Sequence, residues 1–138
     1  MPKLAFDHIH IVSADPEAAS SWYRRMLDAE EVSRRDVLGA PQIRMWLAGI
    51  TLLIRAQRQG EAPIHGCPMT DFEGYSSHKT WGMDHFGLSV EGDIYTYFET
   101  LRAKGVAFLV EPYEFAPGFP ICFIEAPDGV SIEILPGG

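Results

Sequence analysis

Hydrophobic positions along this chain change period in a fixed order, and the order occurs twice. Residues 7–15 (DHIHIVSAD) and 84–93 (DHFGLSVEGD) are apolar, strand-like runs that begin with Asp-His. A helical stretch follows each. After the first, Asp15 suits an N-cap and Pro16 a first helical turn, and Ala19, Trp22, Tyr23 and Met26 fall at helical spacing. After the second, Ile94, Tyr97, Phe98 and Leu101 make a comparable stripe, which Gly105 is placed to cap. Strand-like segments then complete each half: residues 32–38, QIRMWLAG and ITLLIRA in the first, and VAFLVEP, FPICFIEAP and GVSIEILPG in the second. The pattern predicts an α+β chain of two halves, each a strand, a helix and three strands, over about 4–56 and 83–138.

A stretch of 26 residues, Gln57 to Gly82, joins the halves. Its Gly60, Pro63, Gly66, Pro68 and Gly74 favour turns, and a connection this long is usually a lid, a binding loop or a linker. His65, Tyr75 and His78 lie in it and become interesting if it closes over a site, although solvated histidines are the ordinary reading.

Composition narrows the functional classes. With 46% apolar and 22% charged residues, the chain has the balance of a globular protein. Its two cysteines, Cys67 and Cys122, form no CxxC motif, which fits a reducing cytoplasm better than a disulfide framework. The N-terminus lacks the apolar stretch of a signal peptide, and no run approaches the ~18 apolar residues of a membrane span. A net charge of −8 would repel a phosphate backbone and argues against nucleic acid.

Strand parity gives the candidate chemistry. Side chains alternate between faces, so His8, His10 and Val12 share a face opposite Ile9 and Ile11. By the same rule His85 lies with Gly87 and Ser89, opposite Phe86, Leu88 and Val90, and Glu133 lies opposite Ile132 and Ile134. A carboxylate inside a strand is costly unless paired or bound to metal. Two imidazoles and a carboxylate make a site for one divalent ion with open positions; zinc, iron, nickel, cobalt and manganese all suit it. The ordinary reading of one strand histidine is a satisfied core residue. The repeat-equivalent placement of His8 and His85 shifts the balance towards ligands.

The runs GMDHFGLSV, LRAKGVAF and ICFIEAPDGVSIEIL resemble the vicinal oxygen chelate superfamily, which includes glyoxalase I, bleomycin-resistance proteins and extradiol dioxygenases. The resemblance covers nearly the whole chain. It implies paired βαβββ modules forming an open, barrel-like mixed sheet around a metal, with His8, His85 and Glu133 as ligands. It also implies a homodimer acting on a small molecule.

Departures from the family patterns narrow the reaction. Leu53 stands where glyoxalase I proteins carry a further glutamate, and Phe123 stands where extradiol dioxygenases carry a tyrosine. The expected activity is therefore a metal-dependent, glyoxalase-like lyase or isomerase working on a small oxygenated metabolite by enolate or oxyanion stabilisation. A small-molecule binding or resistance protein, or a ring-cleaving dioxygenase, is the alternative. His10, two residues from His8 on the same face, is the candidate general base, and its counterpart in the second half is Gly87. Glu133 is the catalytic ligand, and Phe123 and Arg55 are candidate substrate contacts. Arg55 is more simply read as an exposed strand-end cation.

Overall fold

The structure, a computed structural model, describes residues 1–66 and 81–137. Tyr75, His78 and Cys67 lie outside the described residues, as does most of the connecting stretch. The chain divides into two compact units, Met1–Ile64 and His65–Gly138.

In the first unit, β1 (Ile9–Ser13) leads to α1 (Pro16–Leu27), then β2 (Glu30–Val37), β3 (Ala40–Leu47) and β4 (Ile50–Ala56). In the second, β5 (Phe86–Val90) leads to α2 (Ile94–Ala103), β6 (Phe108–Ala116), β7 (Phe119–Ala126), a single 3-10 turn at Pro127–Gly129, and β8 (Val130–Pro136). Both sheets have four strands and the same order, β1-β4-β3-β2 and β5-β8-β7-β6. In each, the opening strand runs parallel to the closing one and the remaining pairs are antiparallel. A parallel pair needs a crossover, and the helix with two intervening strands supplies it. The architecture is α+β, two mixed sheets each with its helix, as the repeated pattern predicts.

Local chemistry accounts for the boundaries. The Asp15 carboxylate accepts a hydrogen bond from the Ala18 N–H at 3.1 Å, with Pro16 in the first turn of α1. Asp93 caps α2 by accepting from Tyr95 N–H at 3.2 Å. The turns at Leu38-Gly39 and Ala48-Gly49 have positive φ at both residues, the class whose twist matches a two-residue hairpin.

The buried stripe of α1 is Ala19, Ser20, Tyr23 and Leu27. Trp22 and Met26, expected inside, are only half-buried, because the stripe centres one residue further round the helix. Ile94, Phe98 and Leu101 are buried in α2, while Tyr97 stays half-buried. The α1 side of the first sheet buries Ile11, Ile43, Met45, Leu52 and Ile54. Its other side carries His10, Leu53, Arg44 and Trp46, so the two-residue alternation separates core from chemistry.

Helix α2 ends in a Schellman arrangement. The Val106 N–H donates to Leu101 O at 3.1 Å and the Gly105 N–H to Arg102 O at 3.0 Å. Gly105 has φ +84°, and an added Cβ would meet nothing within 4 Å, so only backbone strain opposes a side chain there. Gly105→Ala should therefore lower stability by about 1 kcal/mol in urea unfolding at an unchanged slope. An unchanged midpoint would contradict the left-handed cap.

Candidate functional site

In the second unit, His85 directly precedes β5, and Glu133 lies in the parallel neighbour β8, opposite Gly87. Parallel register brings their side chains together: His85 Nε2 lies 3.1 Å from Glu133 Oε1. On the other side of the ring, Nδ1 lies 2.7 Å from Asp84 Oδ2. A carboxylate can only accept, so Nδ1 carries a proton. The Nε2 lone pair of a neutral ring then faces a carboxylate oxygen. Two acceptors at this separation need a cation between them, either a proton or a metal ion.

The separation itself suits shared ligation. A nitrogen and an oxygen bound to one first-row ion at about 2.0–2.2 Å stand roughly 3.0–3.4 Å apart. An Asp carboxylate behind a ligating imidazole fixes tautomer and orientation in such sites. His85 and Glu133 are partly exposed, with side chains 29% and 21% accessible, so a ligand can reach them. Gly87 keeps the carboxylate uncovered: a Cβ there would lie 3.2 Å from Leu135 Cδ2 and 3.8 Å from Glu133 Oε1.

Phe123, opposite Glu133 in β7, meets the His85 ring edge-on, with centroids 5.1 Å apart. It is buried with Ile121 and packs beside Leu109, Val110, Tyr113 and Leu135. It thus braces the imidazole from the apolar side.

The first unit repeats part of this arrangement and alters the rest. His8 Nδ1 lies 2.6 Å from Asp7 Oδ2, the same carboxylate–imidazole pairing. The hydrogen bond and charge of His8 hold the Asp7 carboxyl below the usual range, and Arg44 adds a weaker pull. The His8 and His10 rings lie edge to face with centroids 6.1 Å apart. In register, His10 stands beside Leu53 where the second unit has Gly87 beside Glu133. The first repeat thus has an imidazole where the second has a glycine, and an aliphatic side chain where the second has the carboxylate.

Arg55 is not the exposed cation its strand-end position suggested. It is 5% accessible. Its NH1 and NH2 donate to the two Glu61 oxygens at 2.7 and 3.2 Å, and NH1 also donates to Ala56 O at 2.9 Å. Its Nε donates to His10 Nε2 at 3.4 Å. Burial, then the charge of Arg55, hold the His10 imidazole below its ordinary range, which keeps it neutral. Glu61 is drawn down to about 2 by Arg55 and the Arg58 N–H. A short turn after β4 folds Glu61 back onto Arg55, a contact with no periodic signal in sequence.

The structure thus brings His85 and Glu133 together, and His8 near His10. Among the described residues, no three His, Cys, Asp or Glu side chains form a group that could hold a metal ion. Asp7, Asp84 and Glu61 had been given no role from sequence. The repeated Asp-His dipeptide was the available signal for the first two. A cleft of about 340 Å³ lined by Glu17, Arg34 and Ile43 lies elsewhere in the first unit. Its Arg34 is already spent on Glu17 and Glu31. No described helix is long and apolar enough to cross a membrane.

Comparisons with known proteins place this geometry in context. No curated protein matches the chain. Among solved structures, a glyoxylase/bleomycin resistance protein/dioxygenase domain from Frankia sp. EAN1pec is similar, with TM-score 0.71, 22% identity, and 99% of this chain and 100% of that one covered. The fosfomycin resistance protein FosX from Listeria monocytogenes, complexed with Mn(II) and sulfate, gives TM-score 0.63 at 14% identity, covering 97% and 93%. TioX from Micromonospora sp. ML1 gives 0.64 at 14% identity, covering 96% and 98%. At these identities the likeness is one of fold. The family model for the glyoxalase/bleomycin resistance protein/dioxygenase superfamily matches residues 5–134. With that match over nearly its whole length, the chain belongs to the glyoxalase/bleomycin resistance protein/dioxygenase superfamily.

Proposed function

We propose that this chain is a divalent-metal-dependent enzyme, a glyoxalase-like lyase or isomerase for a small oxygenated metabolite, with His85, Glu133 and His8 as its metal ligands. The observation that carries the reading is His85 Nε2 standing 3.1 Å from Glu133 Oε1, with Asp84 Oδ2 2.7 Å from the ring's other nitrogen. The manganese in FosX, a structural relative, adds support for a divalent ion.

A divalent ion at this pair would supply Lewis-acid polarisation of substrate oxygens. The protein supplies the rest. Asp84 and Asp7 hold the two Nε2 atoms ready to coordinate. Phe123 excludes water from one side of the His85 ring. Leu53 offers no further carboxylate, which leaves more of the coordination shell to substrate and water and moves the enzyme away from glyoxalase I. His10 is the proton acceptor: it stays neutral, and Arg55 holds it through Nε2. The reactive lone pair is freed when substrate draws the ring from that 3.4 Å contact.

Purified protein should carry about one divalent ion per chain by elemental analysis. His85→Ala and Glu133→Gln should each weaken metal affinity by at least about 100-fold, and Asp84→Asn by about 10–100-fold. Native protein without stoichiometric affinity for any of the five candidate metals would sink the proposal. If small-molecule binding then survived in His8→Ala and His85→Ala, the chain would be a binding or resistance protein instead.

The proton step has its own readout. Metal-loaded protein in D₂O should exchange the α-proton of small oxo acids or hydroxy ketones, followed by NMR. His10→Gln should slow that exchange by about 100-fold or more while metal content stays unchanged. Native-rate exchange in His10→Gln would remove His10 from the mechanism.

A further inference from the structure

Beside His10 runs a chain of polar contacts that metal binding does not require. Arg55 shares a face of the first sheet with His10 and lies diagonal to it, since Arg55 pairs with Val12 and His10 with Leu53. From the Glu61 carboxylate, contacts of 2.7 and 3.2 Å lead to NH1 and NH2 of Arg55, and one of 3.4 Å leads from its Nε to His10 Nε2. All three residues belong to the first unit.

The turn that presents Glu61 is closed on itself. The Glu61 N–H donates to Arg58 O at 3.1 Å, and the Arg58 N–H donates back to Glu61 Oε1 at 2.6 Å. Gln57 Nε2 donates to Glu61 O. The Arg58 Nε ties the turn to the β2–β3 hairpin by donating to Val37 O at 3.4 Å. Arg55 and the Arg58 N–H hold the Glu61 carboxyl down at about 2, so it stays charged. A counterion for the buried Arg55 need only reach it, whereas this turn also fixes the angle of approach.

A guanidinium is planar, always charged and donates only. With NH1 and NH2 held by the two Glu61 oxygens, and NH1 also by Ala56 O at 2.9 Å, the direction of the Nε–H is set. That N–H points at His10 Nε2, which can only accept from it. A neutral His10 therefore keeps its proton on Nδ1, the tautomer that an imidazole free in water disfavours.

The repeat supplies a second observation. Gly87 and Leu135 of the second unit occupy the places of His10 and Arg55. The imidazole and the guanidinium are present together in one unit and absent together from those places in the other.

We infer that Glu61 is a positioning residue for His10, acting through Arg55 to fix the tautomer and orientation of the ring. Arg55 makes the contact and Glu61 aims it. Without the Glu61 carboxylate the guanidinium is free to turn, and His10 samples both tautomers. This role rests on the reading of His10 as proton acceptor, but the tautomer can be measured without metal or substrate.

The test uses the full-length, metal-free chain labelled with ¹⁵N, at a pH of about 9, where imidazoles are neutral. Two-bond ¹⁵N–¹H spectra distinguish the Nδ1–H ring from the Nε2–H ring, and His10→Gln identifies the His10 signals by their loss. Native His10 should be predominantly Nδ1–H. Glu61→Gln, on a side chain 38% accessible, should shift it towards an even mixture. Arg55→Met, which fills much of the buried volume, should make Nε2–H the major form. Glu31→Gln, which disturbs the exposed contact with Arg34 instead, should leave the tautomer unchanged. Well-dispersed amide spectra establish that each variant is folded. In metal-loaded protein, Glu61→Gln should slow the α-proton exchange by about tenfold in kcat with KM unchanged, because ring orientation counts only in the reacting complex. A plain counterion would alter the melting temperature and leave tautomer and kcat alone. The inference is overturned if native His10 is Nε2–H, or if Glu61→Gln keeps the native tautomer or the native kcat. The expected tautomers in a chain that binds no metal would sink the metal-enzyme reading and leave the ring-fixing contact. Exchange that depends on His10 but not on Glu61 would do the reverse.

Discussion

The His85 imidazole stands between two carboxylate oxygens, so the Nε2 side that faces Glu133 must share a cation with it, a proton or a metal ion. Asp84 accepts a hydrogen bond from Nδ1 at 2.7 Å, and the parallel register of β5 and β8 holds Nε2 and Oε1 at 3.1 Å. The arrangement is stable only with a cation between them. Much of the second unit serves that placement. Gly87 leaves the carboxylate open, Phe123 braces the ring, and Ile132 and Ile134 anchor β8 from the opposite face. The alternation of the strand keeps the aliphatic anchor and the polar pair apart.

The first unit uses the same topology for a different task. Its Asp7–His8 pair repeats the oriented imidazole, but Leu53 replaces the carboxylate and His10 replaces the glycine. Removing the acid and adding a base converts a ligand pair into a candidate proton-transfer face. Arg55 and Glu61 fix His10 from one side, while Arg44 and Gln42 extend the polar surface away from it.

Much of the fold was legible because its determinants are periodic or local. Strand alternation, the helical stripes, Asp15 before Pro16, and Gly105 after α2 all act over a few residues, and the repeat doubled each signal. The face of the first sheet that carries His10 and the face of the second that carries Glu133 each followed from parity, which register pairing then fixed. What sequence did not give were contacts set by chain reversal. Glu61 reaches Arg55 only because the turn after β4 folds back, and that contact turns an expected surface cation into a buried one. Trp22 and Met26 went astray for a milder reason, since helical periodicity locates a stripe only to within a residue.

The central claim is that the His85–Glu133 pair exists to hold a divalent cation. A crystal structure of manganese-loaded protein, with an anomalous difference map collected near the manganese edge, tests it most directly. The account predicts a peak about 2.0–2.3 Å from both His85 Nε2 and Glu133 Oε1, with a second histidine Nε2, that of His8, in the same coordination shell. A map with no peak at the pair, or with manganese bound elsewhere and His85 hydrogen-bonded directly to Glu133, would contradict it.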